Sequence, residues 1–128
     1  TKPKLTYPNG LDTEIFSYEA LEKAFQEARL ASEREHVTPY IWKNPGIFKL
    51  ASIENDVDLS QLRWSVDRKE DLEFVRLIYK HLGKEGVDFY MEEIIELLRK
   101  YPNLEKINQG IPINEGYAKS LAEDRIVK

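Results

Sequence analysis

The sequence predicts an α/β protein in which helices cover a small sheet. Three observations point there. Short stretches rich in β-branched and aromatic residues fall between segments with helical apolar spacing, in the order β-α-α-β-β-α-α-α. Apolar residues make up 41% of 128 positions, enough for a core, and charged residues 33%. Helix caps and Gly/Pro stops punctuate the chain at the expected intervals.

The first strand is expected at Leu11–Phe16, after a Pro8-Asn9-Gly10 turn. Ser17 then stands where an N-cap belongs, and Leu21, Ala24, Phe25 and Ala28 mark the inner face of a helix reaching about Ala31. Ser32-x-x-Glu35 reads as a capping box opening a second helix. Pro39 limits that helix, unless Thr38 is the cap and Pro39 the first helical residue; Asn44-Pro45-Gly46 stops it. Phe48–Ile53 and the alternating Leu62–Val66 are the next two strand candidates. Asp67-x-x-Glu70 opens the best-marked helix, with Leu72, Val75, Tyr79 and Leu82 inside, Phe74 and Ile78 beside them, and Gly83 at its end. A helix over Tyr90–Tyr101 carries the stripe Met91, Ile94, Ile95, Leu98 and stops at Pro102. A short turn over 103–108 and a weak helix over 114–125, interrupted by Gly116, complete the reading. Three strands with open edges are few for so many helices, so further strands are expected from the rest of a longer chain or from a second copy. The chain is read as 1–128, a single domain or a fragment of one; the missing initiator Met points to a processed or excised chain.

Composition excludes several classes of function. With no Cys there are no disulfides, zinc–thiolate sites, thiol nucleophiles or iron–sulfur clusters, and a cytoplasmic location is expected. Nineteen Lys and Arg against 23 Asp and Glu give a net charge of −4, which argues against nucleic acid as a partner. No apolar run approaches the ~20 residues of a membrane helix, so no membrane association is expected. No glycine-rich phosphate loop and no nucleophile elbow is present.

Four groups of residues carry candidate chemistry. Asp67 follows a strand and precedes a helix, the place where open α/β sheets put ligands. Its carboxylate is either an N-cap completed by Glu70 or a ligand for Mg²⁺, a hard cation satisfied by one or two carboxylates plus substrate phosphates. Glu33-Arg34-Glu35-His36 reads either as a solvated first helical turn or as a binder of an acidic sugar, with Arg taking the carboxylate and His a hydroxyl. Asp12 and Glu14, two apart on one strand face, suit sugar hydroxyls or a cation and equally suit the wet side of an edge strand. Trp42 and Trp64 are core or interface anchors before they are stacking platforms.

Several strings together resemble one family. They are Tyr7-Pro8-Asn9-Gly10-Leu11-Asp12-Thr13-Glu14-Ile15-Phe16-Ser17, Glu33-Arg34-Glu35-His36-Val37-Thr38-Pro39-Tyr40-Ile41, Arg63-Trp64-Ser65-Val66-Asp67, Glu70-Asp71-Leu72-Glu73-Phe74-Val75 and Asn114-Glu115-Gly116-Tyr117 with Ser120-Leu121. In this order they resemble the cytidylyltransferase-like proteins of spore coat polysaccharide biosynthesis, relatives of CMP-KDO synthetase and acylneuraminate cytidylyltransferase. The resemblance implies a partial nucleotide-diphospho-sugar transferase-like fold and a nucleotidyltransferase that joins CTP to an acidic sugar with Mg²⁺. It matches Asp67 to a metal-binding aspartate and places Arg34, Glu35 and His36 in a segment facing the sugar and a homodimer partner. Asp12 and Glu14 fall beside the sugar. Arg68-Lys69 stands where the family usually has Thr-Pro, adding two positive charges near the expected phosphates. The resemblance covers only the family's C-terminal half, without the triphosphate cradle. The chain alone is therefore expected not to turn over CTP. The competing expectation is a non-catalytic module that self-associates through Tyr40, Trp42 and the 91–98 stripe.

Overall fold

The computed structural model describes residues 4–127. Its helices are α1 (Tyr18–Glu27), α2 (Ala31–His36), α3 (Pro39–Lys43), α4 (Lys69–Leu82), α5 (Met91–Lys100) and α6 (Glu115–Ala122), with a 3₁₀ turn at Glu105–Ile107. The chain divides into two compact units. One comprises Thr1–Leu5, Thr13–Asp56 and Asn114–Lys128, and the other Thr6–Asp12 and Val57–Ile113.

In the first unit, Ser17 caps α1 as its residue type predicts, accepting from Ala20 N–H at 3.2 Å. Ala24, Ile41 and Phe48 form the core, with Tyr40 and Leu50 packed against it. Phe25 lies outside, 61% exposed, although helical spacing places it on the inner face. The expected Ser32/Glu35 box is replaced. The cap of helix α2 lies two residues earlier, at Leu30, and the Glu33 carboxylate accepts from the Arg29 and Leu30 N–H groups at 3.3 Å each. Ser32 is fully buried and given over to Asp124: its hydroxyl donates to Oδ2 at 2.7 Å and its N–H to Oδ1 at 3.1 Å. The tail joins this anchor, with Ala31 N–H donating to the Arg125 carbonyl and Val127 N–H to the Arg29 carbonyl, both at 2.9 Å. Thr38 occupies the N-cap position of α3 with Pro39 at the first turn, the second of the two alternatives the sequence left open, and the Thr38 hydroxyl donates to Glu14 Oε2 at 2.8 Å. Gly116 lies within α6 and does not interrupt it.

In the second unit, Phe74 and Ile78 of α4 bury against Leu97 and Leu98 of α5, with Trp64, Phe89 and Ile107 around them. The inner face of α4 is thus Asp71, Phe74 and Ile78. Leu72 and Tyr79, expected inside, are 40% and 60% exposed. Gly10 is required by its backbone: φ is +108°, and a Cβ there would lie 2.6 Å from the Ser65 nitrogen.

The small sheet is the main correction. No β-strand forms among the described residues; pairing is limited to isolated bridges Asn9–Arg63, Leu30–Ile126 and Lys84–Val87. A ladder needs two extended neighbours in register, and β-propensity measures fit to such a surface rather than a backbone preference. Segments 11–16 and 48–53 have the composition but no ladder among the described residues, which leaves Ile15 and Ile53 at 92% and 86% exposure. Only 62–66 finds a neighbour. There Asn9 N–H donates to the Leu62 carbonyl at 2.8 Å and Trp64 N–H to the Asn9 carbonyl at 2.7 Å, a single parallel bridge.

Candidate functional site

In the second unit the chemistry gathers at the start of α4. Arg63, held in place by the Asn9 bridge, is buried and forks onto Asp71, with Nε to Oδ1 and Nη2 to Oδ2, each at 2.9 Å. Its Nη1 donates to the Pro112 carbonyl at 3.1 Å and its Nη2 also to Asp67 Oδ2 at 3.0 Å. Asp71 is completely buried yet fully satisfied. Besides Arg63 it receives the Asn108 amide at 2.9 Å and the backbone N–H groups of Asp67 and Arg68 at 3.1 and 3.0 Å. The Arg63 guanidinium holds the Asp71 carboxyl far below the usual carboxylate range, and the Asn108 and backbone donors add to this against the opposing effect of burial. Asp71 in turn raises the Arg63 pKa.

This arrangement settles what Asp67 does locally. It is not the cap of α4. Arg68 occupies the N-cap position, and Asp71, one turn in, closes the backbone donors. The Asp67 side chain is 68% exposed, with one oxygen tied to Arg63. Its other oxygen is free to serve as one ligand of a hard cation that keeps waters or phosphates in its shell. Among the described residues no group of three or more His, Cys, Asp or Glu side chains is arranged to hold a metal ion. The described residues could therefore supply at most one position of a Mg²⁺ shell, the Asp67 carboxylate. Asp12, in the same unit, is exposed and turned onto its own loop, accepting from the Asn9 amide and the Gly10 N–H at 3.3 Å each.

The other candidates lie in the first unit. Glu14 accepts from the Thr38 hydroxyl. Arg34 is committed: Nη1 donates to the Phe25 carbonyl at 2.7 Å and the guanidinium stacks 4.6 Å from the Phe25 ring centroid. Glu35 and His36 meet at Ser120 of α6, whose Oγ lies 2.7 Å from Glu35 Oε2 and 3.0 Å from His36 Nε2. Tyr117, one turn earlier on α6, meets the His36 ring edge-on at 5.1 Å and the Trp42 ring at 6.1 Å. A Ser, a His and a Glu in contact suggest a nucleophilic triad, but the order is wrong. The carboxylate sits on the serine hydroxyl, whereas a triad needs it on the far nitrogen of the imidazole.

Sequence reasoning missed Asp71, Asn108 and the Ser32–Asp124 pair, and it left Arg63 within a strand. Asp71 carried a signal, since a carboxylate three residues after an N-cap position is the second half of a capping box. Asn108 and Asp124 carried none: their partners lie 37 and 92 residues away.

No family model matches the chain. A cytidylyltransferase from Leptospira borgpetersenii superposes with a TM-score of 0.72 at 32% identity, over 86% of this chain and 44% of that one. The chain is cytidylyltransferase-like in sequence and fold, a likeness of the nucleotidyltransferase type. Among curated proteins it is 36% identical over 104 residues to the uncharacterized protein MJ1063 of Methanocaldococcus jannaschii, covering 80% of this chain and 42% of that protein. It is 32% identical over 92 residues to the spore coat polysaccharide biosynthesis protein SpsF of Bacillus subtilis, covering 70% of this chain and 35% of SpsF. The chain thus spans less than half the length of each relative. The resemblance drawn from the sequence strings is borne out. No helix among the described residues is long and apolar enough to cross a membrane.

Proposed function

We propose that the chain is the C-terminal, sugar-binding and dimerising part of a nucleotidyltransferase that activates an acidic sugar with CTP. In that reaction a sugar hydroxyl oxygen bonds to the α-phosphorus of CTP, the bond to pyrophosphate breaks, and the hydroxyl proton leaves to a base. Mg²⁺ neutralises the charge on the phosphates when bound. The chain's own contribution is to hold the Asp67 carboxylate toward solvent on a fixed junction and to present Glu14, Glu35 and His36 to the sugar. The carrying observation is the likeness to a cytidylyltransferase at 32% identity over 86% of the chain. The Arg63–Asp71 fork supports it, because it fixes the backbone on which Asp67 stands.

The competing reading, a self-associating module without catalysis, is less well supported. The Tyr40 hydroxyl is spent on Glu27 at 2.8 Å and its ring on Phe48, while Leu98 is buried within its own unit. A pyrophosphate-release assay with CTP, Mg²⁺ and a panel of acidic sugars tests the division of labour. The 128-residue chain is expected to release none. Sustained release would show that the triphosphate is handled here after all. Sedimentation velocity tests the dimer, for which a purely monomeric species counts against the reading.

A further inference from the structure

We infer that the C-terminal end of α4 carries a binding site for a small aromatic zwitterion, the class to which the aromatic α-amino acids belong. The site is separate from the one proposed above. The 14 residues of α4 put its two ends about 20 Å apart, and Asp67 precedes the first of them.

A cavity of about 430 Å³ opens where α4 gives way to the segment leading into α5, lined by Tyr79, Gly83, Lys84, Val87, Asp88 and Phe89. That volume lies in the range of small-molecule sites, about 300–1,000 Å³. Two features hold its shape. Phe89 packs against the core of Phe74, Ile78, Leu97 and Leu98, and Tyr79 meets its ring edge-on at 5.0 Å and 74°. Residues Lys84 to Val87 form a β-turn closed by the Val87 N–H on the Lys84 carbonyl at 3.1 Å, with Gly86 at φ +72°. Tyr79 is the ring that helical spacing assigns to the core and the fold leaves 60% exposed. An exposed ring beside a half-buried one suits a third, packed offset or edge-on.

The charges define the rest of the ligand. Lys84 and Asp88 both line the cavity, and neither side chain forms a hydrogen bond or an ion pair among the described residues, with the other or with any third group. One unpaired ammonium and one unpaired carboxylate in the same wall match a carboxylate and an ammonium on one ligand. An anion or a cation alone would meet one wall charge of its own sign. The nearby Lys80 and Glu85 are of opposite sign and neither lines the cavity, and His81 is stacked on Tyr101 at 5.2 Å.

The test uses the full chain with ¹H–¹⁵N and aromatic ¹H–¹³C NMR, titrating phenylalanine, phenylacetate, phenethylamine and alanine as probes. Phenylalanine is expected to shift the Tyr79, Lys84, Asp88 and Phe89 signals with a Kd about threefold below that of either single-charge probe, the worth of one exposed ion pair. Alanine, which lacks the ring, should bind about fivefold more weakly than phenylalanine. Lys84→Gln should weaken phenylalanine and phenylacetate about threefold, but not phenethylamine. Asp88→Asn should weaken phenylalanine and phenethylamine to the same extent, but not phenylacetate. Both side chains are exposed and unpaired, so neither variant is expected to lower the melting temperature. The inference is overturned if these signals show no saturable shift up to about 20 mM of any probe. It is equally overturned if phenylalanine binds no more tightly than both single-charge probes, or if either variant fails to discriminate between those two.

Discussion

Asp71 concentrates the energetics of the second unit in one residue. It is an ionised carboxylate with no exposed surface, stable there because five hydrogen bonds meet it, from Arg63, Asn108 and two backbone amides. Burying a charge pair of this kind gains little over an apolar pair, but breaking it leaves an uncompensated ion, at a cost of about 3–5 kcal/mol. Its pH signature has a definite sign. The carboxyl titrates far below its unfolded value in the folded state, so its contribution is complete above about pH 4 and is lost as pH falls below that. Urea midpoints measured from pH 7 down to pH 2.5 should drop steeply for the native chain and less steeply for Asp71→Asn, which starts lower at pH 7. Equal slopes would show that Asp71 is not the group whose protonation unfolds the unit.

At the scale of elements, α4 shows what periodicity carries and what it leaves open. Its existence, its Gly83 stop and its apolar content are plain in the sequence. The face it buries is not, because Leu72, Phe74, Val75, Ile78, Tyr79 and Leu82 wrap more than one side of the helix. The buried network decides the matter: Asp71 must face inward to reach Arg63 and Asn108, and Phe74 and Ile78 follow it one and two turns on. Phe74→Ala should therefore cost about 3–5 kcal/mol in chemical denaturation. Leu72→Ala should cost less than about 1 kcal/mol. The opposite ranking would restore the face that spacing alone suggests.

Helix α2 teaches a related lesson. At six residues it is too short to stand alone, and Asp124 clamps its first turn through Ser32. Asp124→Ala is expected to raise hydrogen exchange at residues 30–36 while leaving α4 and α5 protected; uniform exchange changes would contradict a local clamp.

For the whole molecule, the helices were legible because 3.6-residue spacing and caps are local signals. The strands were misread because a strand is defined by its neighbour. Residues 11–16 and 48–53 carry β-type composition with no ladder among the described residues. The site was legible in part. Glu35, His36 and Asp67 lie in segments whose strings resemble cytidylyltransferase-like proteins, yet Ser120 and Tyr117 join Glu35 and His36 only through folding. Of the two roles that the sequence left open for Asp67, the cap falls, since the capping function moved one turn to Asp71, and the carboxylate itself is exposed.

The proposed function divides the labour: this chain would supply a carboxylate for a cation and a surface for a sugar, and the part of its relatives that it does not match would bind the triphosphate. The most direct test joins the chain to the portion of the Leptospira cytidylyltransferase that it does not match. Pyrophosphate release is then measured with CTP, Mg²⁺ and acidic sugars. The account predicts release by the fusion, none by either part alone, and loss of release in the fusion carrying Asp67→Asn. A well-folded fusion whose release is unchanged by Asp67→Asn would contradict it.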